Sequence, residues 1–139
     1  MNMNQFIEVH GVEMSDALID LNTLKAAEEA TNVKLGNELT AYLLRYGYLG
    51  FGHIELYGMN SRQGMDSDMV KQTIYLHHYY PQTSGLIAVE NQGEGDYYLV
   101  DQDDNVFNFD SETGMINAVG LKLSEYIYMR FQSIADTAF

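Results

Sequence analysis

Among the 139 residues there is no cysteine, no tryptophan and a single proline. The lack of cysteine excludes disulfide staples, zinc–thiolate sites and thiol nucleophiles. Cations are scarce too, with seven Lys+Arg against twenty Asp+Glu and a formal net charge of −13. That balance argues against binding to DNA, RNA or an anionic membrane, each of which needs a cationic footprint. No apolar run approaches the length of a membrane span, and the opening residues MNMNQFIEVHG lack the charged and apolar regions of a signal peptide. What is present is the material of a core: 46% hydrophobic residues, with eleven Tyr, six Phe and eight Met. A chain of this size buries roughly two-thirds of its unfolded surface. The expectation is a soluble, cytoplasmic, globular protein.

No repeat, low-complexity tract or Pro-rich linker divides the chain, so residues 1–139 read as one domain. Residues 1–14 are expected to be a loosely attached segment or an edge strand. Helical signals fill the first half. DLNTLKAAEEAT, Asp20 to Thr31, is rich in helix formers, with Asn22 or Thr23 as cap and Asn32 as stop. A second helix starts at Asn37, a side chain suited to capping. It places Leu39, Tyr42, Leu43 and Tyr46 at i, i+3, i+4 and i+7 before Gly47. A third starts at Asp66 or Ser67 with Met69, Val70 and Ile74 inward. The second half changes period: Phe51 to Tyr57, Leu86 to Glu90, Asp96 to Asp101, Asn105 to Asp110 and Met115 to Val119 read as strands. A closing helix from Leu123 aligns Tyr126, Ile127, Phe131 and Ile134 on one face. The pattern predicts an α+β fold, an antiparallel meander sheet with amino-terminal and carboxy-terminal helices packed on one of its faces.

Charge distribution is the most informative feature. Residues 72–121 contain no Lys or Arg, yet hold Glu90, Glu94, Asp96, Asp101, Asp103, Asp104, Asp110 and Glu112. Most fall in or beside the turns of the meander and are expected to cluster at its ends. A solvated, solubilising surface accounts for them. So does a docking face, because opposed potentials speed encounter with a basic partner and select it over others. The residues assigned to that face are Glu90, Glu94, Asp96, Asp101, Asp103 and Asp104, with Tyr97 or Tyr98 as anchor.

Other motifs carry less. Asp101, Asp103, Asn105 and Glu112 match calcium-loop positions, but Val106 stands where the sharp turn requires Gly, and the segment reads as a hairpin turn. His77 and His78 are adjacent rather than four apart, and with His10 and His53 they complete no metal set. Gly93 and Gly95 in GEGDYY open no helix and sit among acids, which disfavours phosphate; positive φ in a hairpin explains them. No nucleophile elbow or pKa-shifting environment surrounds the Ser residues and carboxylates. The chain is expected to be no enzyme, with no cofactor and no metal.

With these segments in place, the chain resembles the SUKH superfamily, which includes the yeast cell-wall assembly regulator and bacterial toxin-immunity proteins. LGNELTAYLLRYGYLGF is similar to the family's Leu-Pro-x-x-hydrophobic helix ending in Tyr-Gly, with Gly36 in place of the common Pro. FGHIELYGM resembles its first core strand. GLIAVENQGEGDYYLVD resembles its strand, Gly-Asp turn and strand, with Gly95 and Asp96 as the turn. NVFNFDSETG and LKLSEYIYMRF resemble the closing hairpin and helix. The resemblance runs from Leu21 to Phe131. It implies a non-enzymatic protein that binds and neutralises a cognate toxin, often a nuclease, in the cytoplasm, or else a housekeeping interaction or regulatory scaffold. The expected partner is that toxin or another basic protein domain, with no nucleic acid and no membrane. Nothing in the residues indicates an oligomeric state.

Overall fold

The structure is a computed structural model and describes residues 1–15, 19–59 and 67–137. Asn2 opens the first element. Its side chain accepts the Gln5 N–H while the Gln5 side chain accepts the Asn2 N–H, a reciprocal capping box that starts α1 (Met3–Val9). The amino terminus is therefore not a loose segment. Phe6, 3% exposed, and Ile7 are buried in the core, and the Phe6 ring stacks on His10 and meets Phe51 and Phe131. The expected edge strand is present as the two-residue β1 (Glu13–Met14).

Helix α2 (Leu21–Thr31) is capped by Asp20, whose carboxylate accepts the Thr23 N–H at 2.8 Å, rather than by Asn22 or Thr23. Asn32 ends it in the left-handed conformation, φ 57°. In α3 (Asn37–Arg45), the predicted apolar set Leu39, Tyr42, Leu43 and Tyr46 is buried. Asn37 lies inside the helix rather than capping it, and Gly36 occupies the cap position without a side chain to offer. The Phe51 to Tyr57 run is not one strand. It folds as β2 (Leu49–Phe51) and β3 (Ile54–Leu56), because Gly52 and His53 turn the chain. With β1 these form a three-stranded sheet in the order β1-β2-β3.

Helix α4 (Met69–Tyr79) is capped by Asp68, whose carboxylate accepts the Lys71 N–H; Asp66 lies outside the described residues, and Ser67 precedes the cap. Its buried side is Met69, Thr73 and Leu76, while Ile74, expected inward, is exposed. The meander follows as β4 (Ile87–Asn91), β5 (Asp96–Val100), β6 (Asn105–Asp110) and β7 (Met115–Lys122), in the order β4-β5-β6-β7. Helix α5 (Leu123–Thr137) closes the fold with Leu123, Tyr126, Ile127 and Phe131 buried and Ile134 half-buried.

The two sheets meet where Tyr57 N–H donates to Val89 O at 2.8 Å, and one continuous core of Leu39, Leu43, Leu49, Leu56, Leu99 and Phe131 runs beneath both. The fold is α+β with antiparallel sheets. Helices lie on both faces of the meander, however, rather than on one. Strand residues alternate sides; Tyr98 stacks on Tyr126 of α5, and Phe109, on the opposite face, meets Tyr80 at the end of α4. The sheet is long enough to bury apolar residues on each side, and α5 alone cannot cover both.

Candidate docking surface

A meander places consecutive hairpin turns at opposite ends of its sheet, and this decides where the acids go. Asp96 pairs with Asp110, so the β4–β5 and β6–β7 turns share one end. Ser111 N–H donates to Gly95 O at 3.0 Å across them. Glu94, Asp96, Asp110 and Glu112 therefore lie together. Asp101, Asp103 and Asp104 sit in the β5–β6 turn at the other end, about 17 Å away at roughly 3.4 Å per strand residue. The acids thus cluster at the ends of the meander, so the residues assigned to one docking face fall in two groups.

The β5–β6 group is mostly occupied internally. The Asp101 carboxylate accepts the Asp103 and Asn105 N–H groups and the Asn105 side-chain amide, closing the turn. Burial alone would raise its pKa, but those hydrogen bonds outweigh it and hold the pKa below the usual carboxylate value. This hairpin, not a cation loop, explains the spacing of Asp101, Asp103 and Asn105, and Glu112 lies at the opposite end of β6. Lys122 also comes here, its Nζ donating to Asp103 O at 2.8 Å.

Asp104 is corrected from surface acid to buried cap. Only 4% exposed, it turns inward and accepts the Glu38 N–H at 2.9 Å and the Leu39 N–H at 3.0 Å, the first-turn donors of α3 that Gly36 leaves unsatisfied. A Cβ at residue 36 would collide with that carboxylate, which accounts for Gly where the related helices carry Pro.

Glu90 is likewise corrected. It is 2% exposed and held beneath α5, where Arg130 donates Nη2 to its Oε2 at 2.6 Å and Nε to its Oε1 at 3.0 Å. Tyr126 adds its hydroxyl to Oε1, and Gln92 donates to that hydroxyl at 3.0 Å. Burial, first, and the Glu90 charge push the Tyr126 pKa far above the ordinary tyrosine value. Arg130 and Tyr126 escaped the sequence reading because they lie on α5, where Tyr126 fits the apolar period. Glu90, Gln92 and Arg130 border a polar cleft of about 330 Å³ with His53, Glu55 and Ser67, whose Oγ is buried with no hydrogen-bond partner among the described residues.

The outward remainder is Asp103 at the far end and, together at the near end, Glu94, Asp96, Asp110 and Glu112. Asp96 and Asp110 face each other across the ladder, a pairing of like charges that is unfavourable unless a cation approaches. Asn108 donates to Asp96, and Glu112 N–H donates to Asp110. Gly93, Glu94 and Gly95 all take positive φ in the β4–β5 turn, which projects Glu94 into solvent. Tyr97, half-buried, stacks on Phe109 and lies in one cross-strand row with Phe109 and Ile116. Tyr98, on the other face, stacks on Tyr126 of α5. Tyr75 and Tyr79, exposed on α4 with ring centroids 4.8 Å apart, extend this aromatic surface. They were missed because the sequence reading placed α4's inward side differently.

His77 Nε2 donates to Leu86 O at 2.8 Å, and His78 packs on Tyr79. Among the described residues no group of three His, Asp or Glu could hold a metal ion, and no helix is long and apolar enough to cross a membrane. A family model described as SMI1-KNR4 cell-wall matches residues 3–132. No curated protein matches the chain.

Proposed function

Because this chain belongs to the SMI1-KNR4 cell-wall family of the SUKH superfamily, we propose that it acts by binding rather than catalysis, as an immunity protein that neutralises a cognate, basic, nuclease-type toxin domain in the cytoplasm. One observation supports this most: the fifty residues 72–121, without a single cation, supply the outer side of α4 and nearly the whole meander, with Glu94, Asp96, Asp110 and Glu112 gathered at one end. A domain that cleaves nucleic acid needs a cationic groove, and a polyanionic surface of this kind is complementary to it. Glu94, Asp96, Asp110 and Glu112 are the electrostatic contacts and Tyr97 the anchor. Asp101 and Asp103, at the far end, contribute only to the long-range field, and Glu90, Asp104 and Tyr98 act by shaping the sheet.

The test is co-expression with the toxin domain encoded beside this gene. The chain restores growth, and Glu94→Lys with Glu112→Lys weakens binding and flattens its salt dependence. Growth arrest unrelieved by the chain, or an affinity constant from low to high salt, overturns the reading. The family description, which names the cell wall, favours a second reading, a housekeeping scaffold that uses the same surface for a cellular protein. A gene with no toxin neighbour, whose deletion leaves toxin sensitivity unchanged, selects that one.

A further inference from the structure

The meander ends in an edge strand that pairs with no further strand among the described residues. β7 is the last strand of its sheet, eight residues long, and no backbone group of residues 116–121 bonds outside the β6 ladder among the described residues. Met115, 58% exposed, Asn117 and Ala118 face solvent, with Ile116 half-buried. The opposite edge is closed: on β4, Val89 O accepts from Tyr57 N–H, and Ala88 N–H donates to Thr73 Oγ1 at 3.0 Å. Natural sheets blunt exposed edges with bulges, charges or proline, since unpaired N–H and C=O groups template another strand.

On β7 those devices sit at one end only. Asn105 pairs with Lys122 and Phe107 with Ala118, so residues 119–121 bulge opposite Val106, and the one charge of the strand is Lys122. Residues 115–118 keep regular register against Asp110, Phe109, Asn108 and Phe107, with no charge and no proline. Every second residue there turns both backbone groups away from β6.

We propose that residues Met115–Ala118 of β7 take up an extended, cationic segment of the partner as a fifth strand. This rests on the reading of the partner as basic, and it adds a main-chain docking mode to the electrostatic one. Charge and pattern specify the occupant. The regular end of β7 lies beside Asp110, which pairs with Met115, and beside the turn that carries Glu112, so alternate residues of the incoming strand are Lys or Arg. Their neighbours are apolar, because the row Tyr97–Phe109–Ile116 continues onto the new strand. A second copy of this chain is disfavoured by its own −13 charge.

The experiment titrates the full chain with a short synthetic peptide alternating Lys and Val, and with the same peptide carrying Pro at its central Val. Pro has no N–H to give, at equal charge. Amide exchange of residues 115–118 slows with the first peptide, the Pro peptide binds about tenfold more weakly as one or two hydrogen bonds are lost, and Met115→Lys weakens the first. Equal binding of both peptides, with changes confined to the acidic turns, overturns strand addition and leaves the acidic docking surface standing. No binding of either overturns strand addition, while the toxin assay judges the proposed function separately. Protection of residues 115–118 without peptide, with a mass that rises with concentration, assigns the edge to a second copy and also overturns the proposal.

Discussion

Asp104 joins the two halves of the chain through one carboxylate. It sits at positive φ, 64°, in the β5–β6 turn, and its side chain replaces the missing cap of a helix, accepting the N–H of Glu38, 66 residues earlier. Capping side chains contribute about 1–2 kcal/mol, and this one is buried, so its removal also leaves two N–H groups without acceptors. Asp104→Ala is expected to lower unfolding stability by at least about 1–2 kcal/mol, and Asp104→Asn, which keeps an acceptor, by less. Urea denaturation of the three proteins checks it; equal midpoints would show that water caps α3 as well as the carboxylate does. The same logic governs Glu90, whose buried carboxylate accepts hydrogen bonds from Arg130 and Tyr126. Neither carboxylate is distinguishable from its exposed neighbours by sequence, since Glu90 and Glu94 are both glutamates beside the same turn.

At the level of elements, α1 shows how a short helix becomes structural. Seven residues are too few to be stable alone, but Phe6 inserts among Phe51, Tyr128 and Phe131. Phe6→Ala is expected to destabilise the protein by roughly 3–5 kcal/mol, the range for emptying a buried aromatic site. Thermal or urea unfolding measures this, and a change below about 1 kcal/mol, the surface-substitution range, would mean that α1 is not part of the cooperative unit. The capping box of Asn2 and Gln5 was legible in the opening residues, as was the apolar pair Phe6 and Ile7. They were passed over because a seven-residue pattern is too short for helical period to stand out. The strands fared better: β6 has the predicted bounds, Asn105 to Asp110, because alternating Val106, Phe107 and Phe109 lie between two turn-forming clusters. At Phe51 to Tyr57 the alternation continued through Gly52 and His53, so the tight β2–β3 hairpin was read as one strand.

Across the whole molecule, −13 charges on 139 residues repel one another. The folded state brings them closer than the unfolded chain does, and the Asp96–Asp110 pairing is one local instance. Salt shortens the Debye length from about 10 Å at 0.1 M to about 3 Å at 1 M. The melting temperature is therefore expected to rise with added sodium chloride, as a scanning calorimeter would record. A fall would show that ion pairs such as Arg130–Glu90 outweigh the net repulsion. Binding to a basic partner has the opposite dependence, weakening with salt, so the two measurements separate self-repulsion from attraction to the partner.

Part of the local structure was settled by the sequence. Helical period in α3 and α5, the Asn32 stop, glycines at positive φ beside Glu94 and the strand alternation of β6 depend on residues within a few positions of each other, where backbone sterics and side-chain spacing dominate. The expectation against a cationic function likewise rests on composition alone. Tertiary structure decided which acids reach solvent, because that depends on pairings between distant segments: Asp104 with α3, Glu90 with Arg130, Asp96 with Asp110. It also decided that successive turns lie at opposite ends of the sheet and that β7 stays open, since strand order and the position of an edge are properties of the assembled sheet and of no single stretch of chain.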